Sequence, residues 1–178
     1  MSDSPQNTAL VVTFSGADRA GIVKTLAACV ANYGANWEES RMARLAGRFA
    51  GILKLTVASA KADDLTEALT ALAWDGLVVV VERGGVMPLK PKQCTMLEIT
   101  GTDREGIVRD VSRTLVDCGA NIEQFTTDYQ DAPMTGGLIF NATAVICFHG
   151  EIELDRLRTA LEGIADDLMV DIGLPYSP

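Results

Sequence analysis

The sequence predicts an α+β protein made of two copies of one unit, each with the order β-α-β-β-α-β, and three observations support this. Residues 16–40 align without gaps on residues 101–125 at an offset of 85, with ten of 25 positions identical. Each copy then carries apolar residues at helical spacing, and afterwards changes to the alternation of a half-buried strand. A repeat of this length makes duplication the organising fact of the chain.

Each copy opens with an apolar strand, Leu10 to Phe14 or Met96 to Ile99, and turns through a Gly-x-Asp-Arg segment into a helix. The core stripe of that helix is Ile22, Leu26, Val30 and Tyr33 in copy one, and Ile107, Val111, Leu115 and Cys118 in copy two. Gly34 and Gly119 fall where a helix stop belongs. Two strands follow, with Leu53, Leu55 and Val57 facing away from Lys54 and Thr56 in one copy, and Phe140, Ala142, Ala144, Ile146 and Phe148 alternating with polar residues in the other.

A second helix carries Leu65, Leu69 and Leu72, or Leu154, Leu157, Leu161 and Ile164. A short strand, Leu77 to Val81 or Leu168 to Ile172, closes each half. This order is the ferredoxin-like unit, an antiparallel sheet with both helices on one face. The domains are expected at residues 8–84 and 93–174, joined by a linker at 85–92 whose prolines at 88 and 91 discourage regular structure. Copy two is longer, and its extra residues fall near Asp128 to Gly137 as a long hairpin connection.

The 178 residues suffice for two small domains. With 48% hydrophobic and 22% charged residues, the composition is that of a soluble globular chain. No apolar run approaches the roughly 18 residues of a membrane helix. The opening MSDSPQNT lacks the basic and apolar regions of a signal peptide, so the expected location is cytoplasmic. A net charge of −9 opposes direct nucleic acid binding. Residues 89–178 hold 7 basic and 15 acidic groups, so this half carries −8 and is suited to a basic protein partner.

Little in the sequence points to catalysis or cofactors. Cys29, Cys94, Cys118 and Cys147 are widely spaced, with only His149 to complete a metal set, and are expected as buried, reduced thiols. No phosphate-binding glycine motif is present. His149 lies outside the repeated motif, and no nucleophile–base pair is suggested by spacing. Glu38 and Glu123 recur, but paired catalysis would need a placement that spacing does not supply. The chain is expected to be a non-enzyme without metal or cofactor.

The repeated turn is the candidate site. Gly16 and Gly101 are expected to permit a special backbone geometry, and Asp18 and Asp103 to cap the helix. Gly21 and Gly106 leave the helix start bare, where free amides and the positive helix end suit a carboxylate. A packing turn with a capping aspartate is the competing reading of the same residues.

GADRAGIV with its downstream GAN, and GTDREGIV with GANI, resemble the ACT domain, a βαββαβ module that senses amino acids. The resemblance covers both copies. Two such modules, the DYQDAPMTGG connection and the VDIGLP ending resemble the glycine cleavage system transcriptional repressor family. The resemblance implies a small amino acid, glycine or serine favoured, gripped at an interface between modules. The residues it implies are Gly16, Asp18, Arg19, Gly21, Ile22 and Asn36, with Gly101, Asp103, Arg104, Gly106, Ile107 and Asn121. It further implies action through protein contact with a LysR-type activator and allows a homodimer. The alternative is a generic ACT regulator of another protein or enzyme. Trp37 opposite Ile122 predicts two inequivalent sites.

Overall fold

A computed structural model describes residues 6–73, 76–84, 93–131, 137–148 and 153–175. The expected linker at 85–92, His149, and residues 132–136 of the expected connection lie outside these. The chain divides into two compact units, Met1–Met87 and Pro88–Pro178.

In the first unit, β1 (Asn7–Ala17), α1 (Ile22–Asn32), β2 (Asn36–Leu45), β3 (Arg48–Ala58), α2 (Ala62–Ala71) and β4 (Val78–Arg83) follow in order. The sheet order is β2-β3-β1-β4, with every pairing antiparallel. The second unit repeats this with β5 (Gln93–Thr102), α3 (Ile107–Asp117), β6 (Ala120–Asp131), β7 (Leu138–Phe148), α4 (Leu154–Glu162) and β8 (Met169–Ile172). Its order is β6-β7-β5-β8.

The alternating residues put one sheet face against the helices. In the first unit Leu10, Val12, Phe14, Leu53, Leu55 and Val57 form one buried cluster with Ile22, Leu26 and Val30 of α1 and Leu65 and Leu69 of α2. In the second, Leu97, Ile99, Phe140, Ala142, Ala144 and Ile146 meet Ile107, Val111, Leu115, Leu157 and Leu161. Each fully buried Leu or Ile contributes about 1.5–3 kcal/mol, so the two helical stripes fix the layer order. Tyr33 and Cys118 end their stripes at the C-cap, only partly buried. Gly34 and Gly119 stop the helices with φ of 67° and 76°, as a left-handed C-terminal stop requires.

Two expectations are corrected. Cys94 and Cys147 are joined by a disulfide, not reduced: they face each other across β5 and β7 with Cα atoms 4.0 Å apart. They alternate with the core residues, so the bridge lies on the sheet face away from the helices, yet both are buried. Cys29 and Cys118 are free thiols of intermediate exposure, and burial pushes the Cys29 thiol upward. Part of the extra length of copy two is strand rather than loop, since β6 has 12 residues and β2 has 10.

No helix among the described residues is long and apolar enough to cross a membrane.

Candidate functional site

Each turn from first strand to first helix is set by two glycines with different jobs. Gly16 and Gly101 are not left-handed; they are strand residues under close packing. A Cβ on Gly16 would stand 3.0 Å from Leu77 Cδ1 and 3.2 Å from Leu77 Cα, and one on Gly101 would stand 2.8 Å from Leu168 Cδ1. Their lack of a side chain lets the residue before the last strand pass close. Gly21 and Gly106 hold the N-cap position with φ of 99° and 83°, a conformation other residues adopt only under strain.

The expected aspartate caps are absent, because these glycines occupy the cap position and neither helix has a side-chain cap. Asp18 instead holds the β2–β3 hairpin. Its amide donates to Gly47 O at 2.9 Å, and its carboxylate meets Arg44 Nε at 2.6 Å. That hairpin turns through Ala46 and Gly47 at φ 48° and 76°, the paired left-handed residues of a tight two-residue turn. Asp103 keeps the main-chain bond, its amide donating to Leu138 O at 2.9 Å. The register position of Arg44, opposite Phe49, is filled in copy two by Tyr129, opposite Phe140.

Above the glycines the two turns differ. A Cβ on Gly21 would meet nothing within 4 Å. Beside it lies a cavity of about 70 Å³ lined by Arg19, Ala20, Gly21, Ile22, Thr25, Leu26, Leu72 and Leu77. This is about twice one water's share of liquid volume, room for a few heavy atoms. The first amides of α1 lack partners one turn back, and no acidic residue stands in that first turn. In copy two the place beside Gly106 is taken by Arg109, whose Nη2 would lie 3.1 Å from a Cβ there. Asp110 accepts from Arg104 Nη2 at 2.9 Å and Arg109 Nε at 3.0 Å. These two guanidinium hydrogen bonds, Arg104 first, hold the Asp110 carboxyl below its ordinary range.

Asn36 and Asn121 lie far from their own turns. Asn36 is level with Thr56 and Ala9 at the start of β1, while Asp18 follows Ala17 at its end. The eight steps from Ala9 to Ala17 span about 26 Å of strand. Asn121 is likewise level with Cys147 and Cys94. A single module therefore does not bring turn and asparagine together.

Glu38 and Glu123 are the extra residues of a β-bulge repeated in both copies, where the register steps from Trp37 to Glu39 and from Ile122 to Gln124. Glu38 meets Lys54 Nζ at 2.8 Å and accepts from the Thr56 hydroxyl, and these contacts, Lys54 first, lower its pKa. Asn121 Nδ2 donates to Glu123 Oε1 at 3.1 Å. Hydrogen bonds from Thr102, including its amide at 3.0 Å from Asp167 Oδ2, lower the pKa of Asp167. Arg44, Thr25, Arg109 and Asp110 were not among the expected site residues. The only sequence signal for Asp110 was its alignment with Thr25.

Residues 8–77 match the ACT domain family profile. With the second unit repeating the same topology, the chain is a tandem of ACT-like, ferredoxin-like units. It is similar to the crystal structure of an unknown protein from Galdieria sulphuraria, with 29% identity, 94% of this chain and 98% of that chain covered, and a TM-score of 0.83. It is also similar to a protein named "putative glycine cleavage system transcriptional repressor", at 16% identity, over 97% of this chain and 99% of that one, with a TM-score of 0.69. The second likeness is one of fold. A search of the curated proteins finds no match.

Proposed function

We propose that the protein is a non-enzymatic regulator that binds a small amino acid, glycine or serine, through the turn at Gly21. The observation that carries this is the left-handed glycine start of α1, which leaves the first helical amides uncapped beside a cavity of about 70 Å³. Amides at a helix start favour a carboxylate, and the resemblance of the repeated turns to amino-acid-sensing modules supports a small amino acid as its carrier. The distance from each turn to its own asparagine means that Asn36 or Asn121 can join a ligand only from another module.

The fold likeness to a protein named as a glycine cleavage system repressor supports a role in that regulation. In this reading the occupied protein acts by contact with another regulator, such as a LysR-type activator, and does not itself hold DNA. The negative charge of −9 supports this, since it opposes phosphate attraction. A cytoplasmic location belongs to the same reading, and there the Cys94–Cys147 bridge stands under reducing pressure.

A ligand that binds only the folded state raises its unfolding free energy. Thermal melts and calorimetry over the twenty common amino acids at millimolar concentration should show a shift and heat for glycine or serine. Silence across the whole panel would sink the sensor reading.

A further inference from the structure

The two turns share a backbone and differ in the first turn of the helix that follows. Arg19, Lys24 and Thr25 in copy one correspond to Arg104, Arg109 and Asp110 in copy two. The Thr-to-Asp exchange matters most. Asp110 draws both arginines onto itself, at 2.9 Å and 3.0 Å, and the guanidinium of Arg109 comes to rest over Gly106. The Asp110 side chain is 23% exposed and that of Arg104 38%, while that of Arg109, at 69%, remains largely in contact with solvent.

We infer that Asp110 closes the turn of the second module: it engages the cations there and folds Arg109 over Gly106, so that the chain binds one amino acid at the turn of the first module instead of two. This rests on the proposed ligand seat and says which copy of it is open. An incoming carboxylate at Gly106 would have to displace an internal carboxylate from two charge-assisted hydrogen bonds, which are stronger than neutral ones. At Gly21 no carboxylate in the first helical turn competes with it.

Backbone amide NMR of the full chain tests the closure with acetate as the probe, against sodium chloride at equal ionic strength. In the parent protein, acetate should shift the amides of Gly21 and Ile22 and leave those of Gly106 and Ile107 still. In Asp110→Thr the amides of Gly106 and Ile107 should move as well, and Asp110→Asn, which removes the charge at constant size, should act in the same direction. A folded Asp110→Thr or Asp110→Asn protein whose Gly106 and Ile107 amides stay still would overturn the inference. Equal shifts at both turns of the parent, or none at Gly21, would do the same. Titration with glycine should then give one site per parent chain and two per Asp110→Thr chain. Glycine silent where acetate follows the expected pattern would end the amino-acid reading and leave the closure standing.

Discussion

The turn at Gly21 and the turn at Gly106 have nearly the same backbone, with φ of 99° and 83°, yet one is bare and the other lies under Arg109. The same contrast recurs along the sheets. Phe14, Gly51 and Met42 lie in one row of the first sheet, where Ile99, Ala142 and Thr127 lie in the second. On the opposite face, Ser15, Ala50 and Ala43 of the first sheet correspond to Thr100, Asn141 and Asp128 of the second. There the Asn141 side chain links Thr100 Oγ1 at 3.1 Å to Asp128 Oδ1 at 3.2 Å. The row Ala9, Thr56, Asn36 becomes Cys94, Cys147, Asn121. The two units share a backbone register, while whole rows of side chains differ between them.

The largest expected difference between the modules is covalent. A bridge across a sequence separation of 53 is worth about 4 kcal/mol in the chain-entropy account, and nothing equivalent joins Ala9 to Thr56. Both tryptophans, Trp37 and Trp74, fall in the first copy, so tryptophan fluorescence serves as the probe of that module. Adding dithiothreitol, or replacing both Cys94 and Cys147 by Ala, should bring on an earlier loss of circular dichroism in denaturant. The fluorescence midpoint should hold, and a joint shift of both signals would break the comparison.

A smaller difference lies in the row through Gly51 and Ala142. A Cβ on Gly51 would stand 2.7 Å from Met42 Cγ and 2.7 Å from Phe14 Cε1, whereas the second module holds Ala142 between the smaller Thr127 and Ile99. Gly51→Ala should therefore cost about 1–3 kcal/mol by overpacking. Adding Phe14→Ile should return part of it. If Gly51→Ala alone is neutral in denaturant melts, the two rows are not matched by volume.

The smallest expected effect concerns the aspartates. Asp18→Ala removes an ion pair whose side chains are 35% and 70% exposed, so its loss should stay below about 1 kcal/mol. Arg44→Ala should cost about the same, and the double variant no more than either alone. A cost near 2 kcal/mol, the upper range for a lost helix cap, would restore the capping role.

The layer order, the helix stripes and the left-handed stops after each first helix were legible because they follow from periodicity and from glycine's freedom in φ. The strand-to-helix turn follows from the sequence, but the work of its individual residues does not. Gly16 acts through the space it leaves for Leu77, and Asp18 through a hairpin distant in sequence. Both depend on contacts that local pattern does not encode. The disulfide was missed for a related reason. Cys94 and Cys147 have no motif spacing, and only the β5–β7 register sets them opposite each other. Asp110 is a polar residue in a first helical turn, and its alignment with Thr25 gains meaning only once Arg104 and Arg109 are seen to converge on it.

The Cys94–Cys147 bridge also bears on how two similar modules sort their strands during folding. Repeated domains are prone to misassembly, in which an element of one copy takes its twin's place in the other. β1 and β5 are twins in this sense, each a first strand of its unit with two neighbours. Laid on β3 in the register of β1, β5 would set Cys94 against Thr56, where no bond can form. Only its own partner β7 presents a second thiol to it. The bridge, where it forms, therefore marks a chain that has sorted its strands and holds β5 to β7.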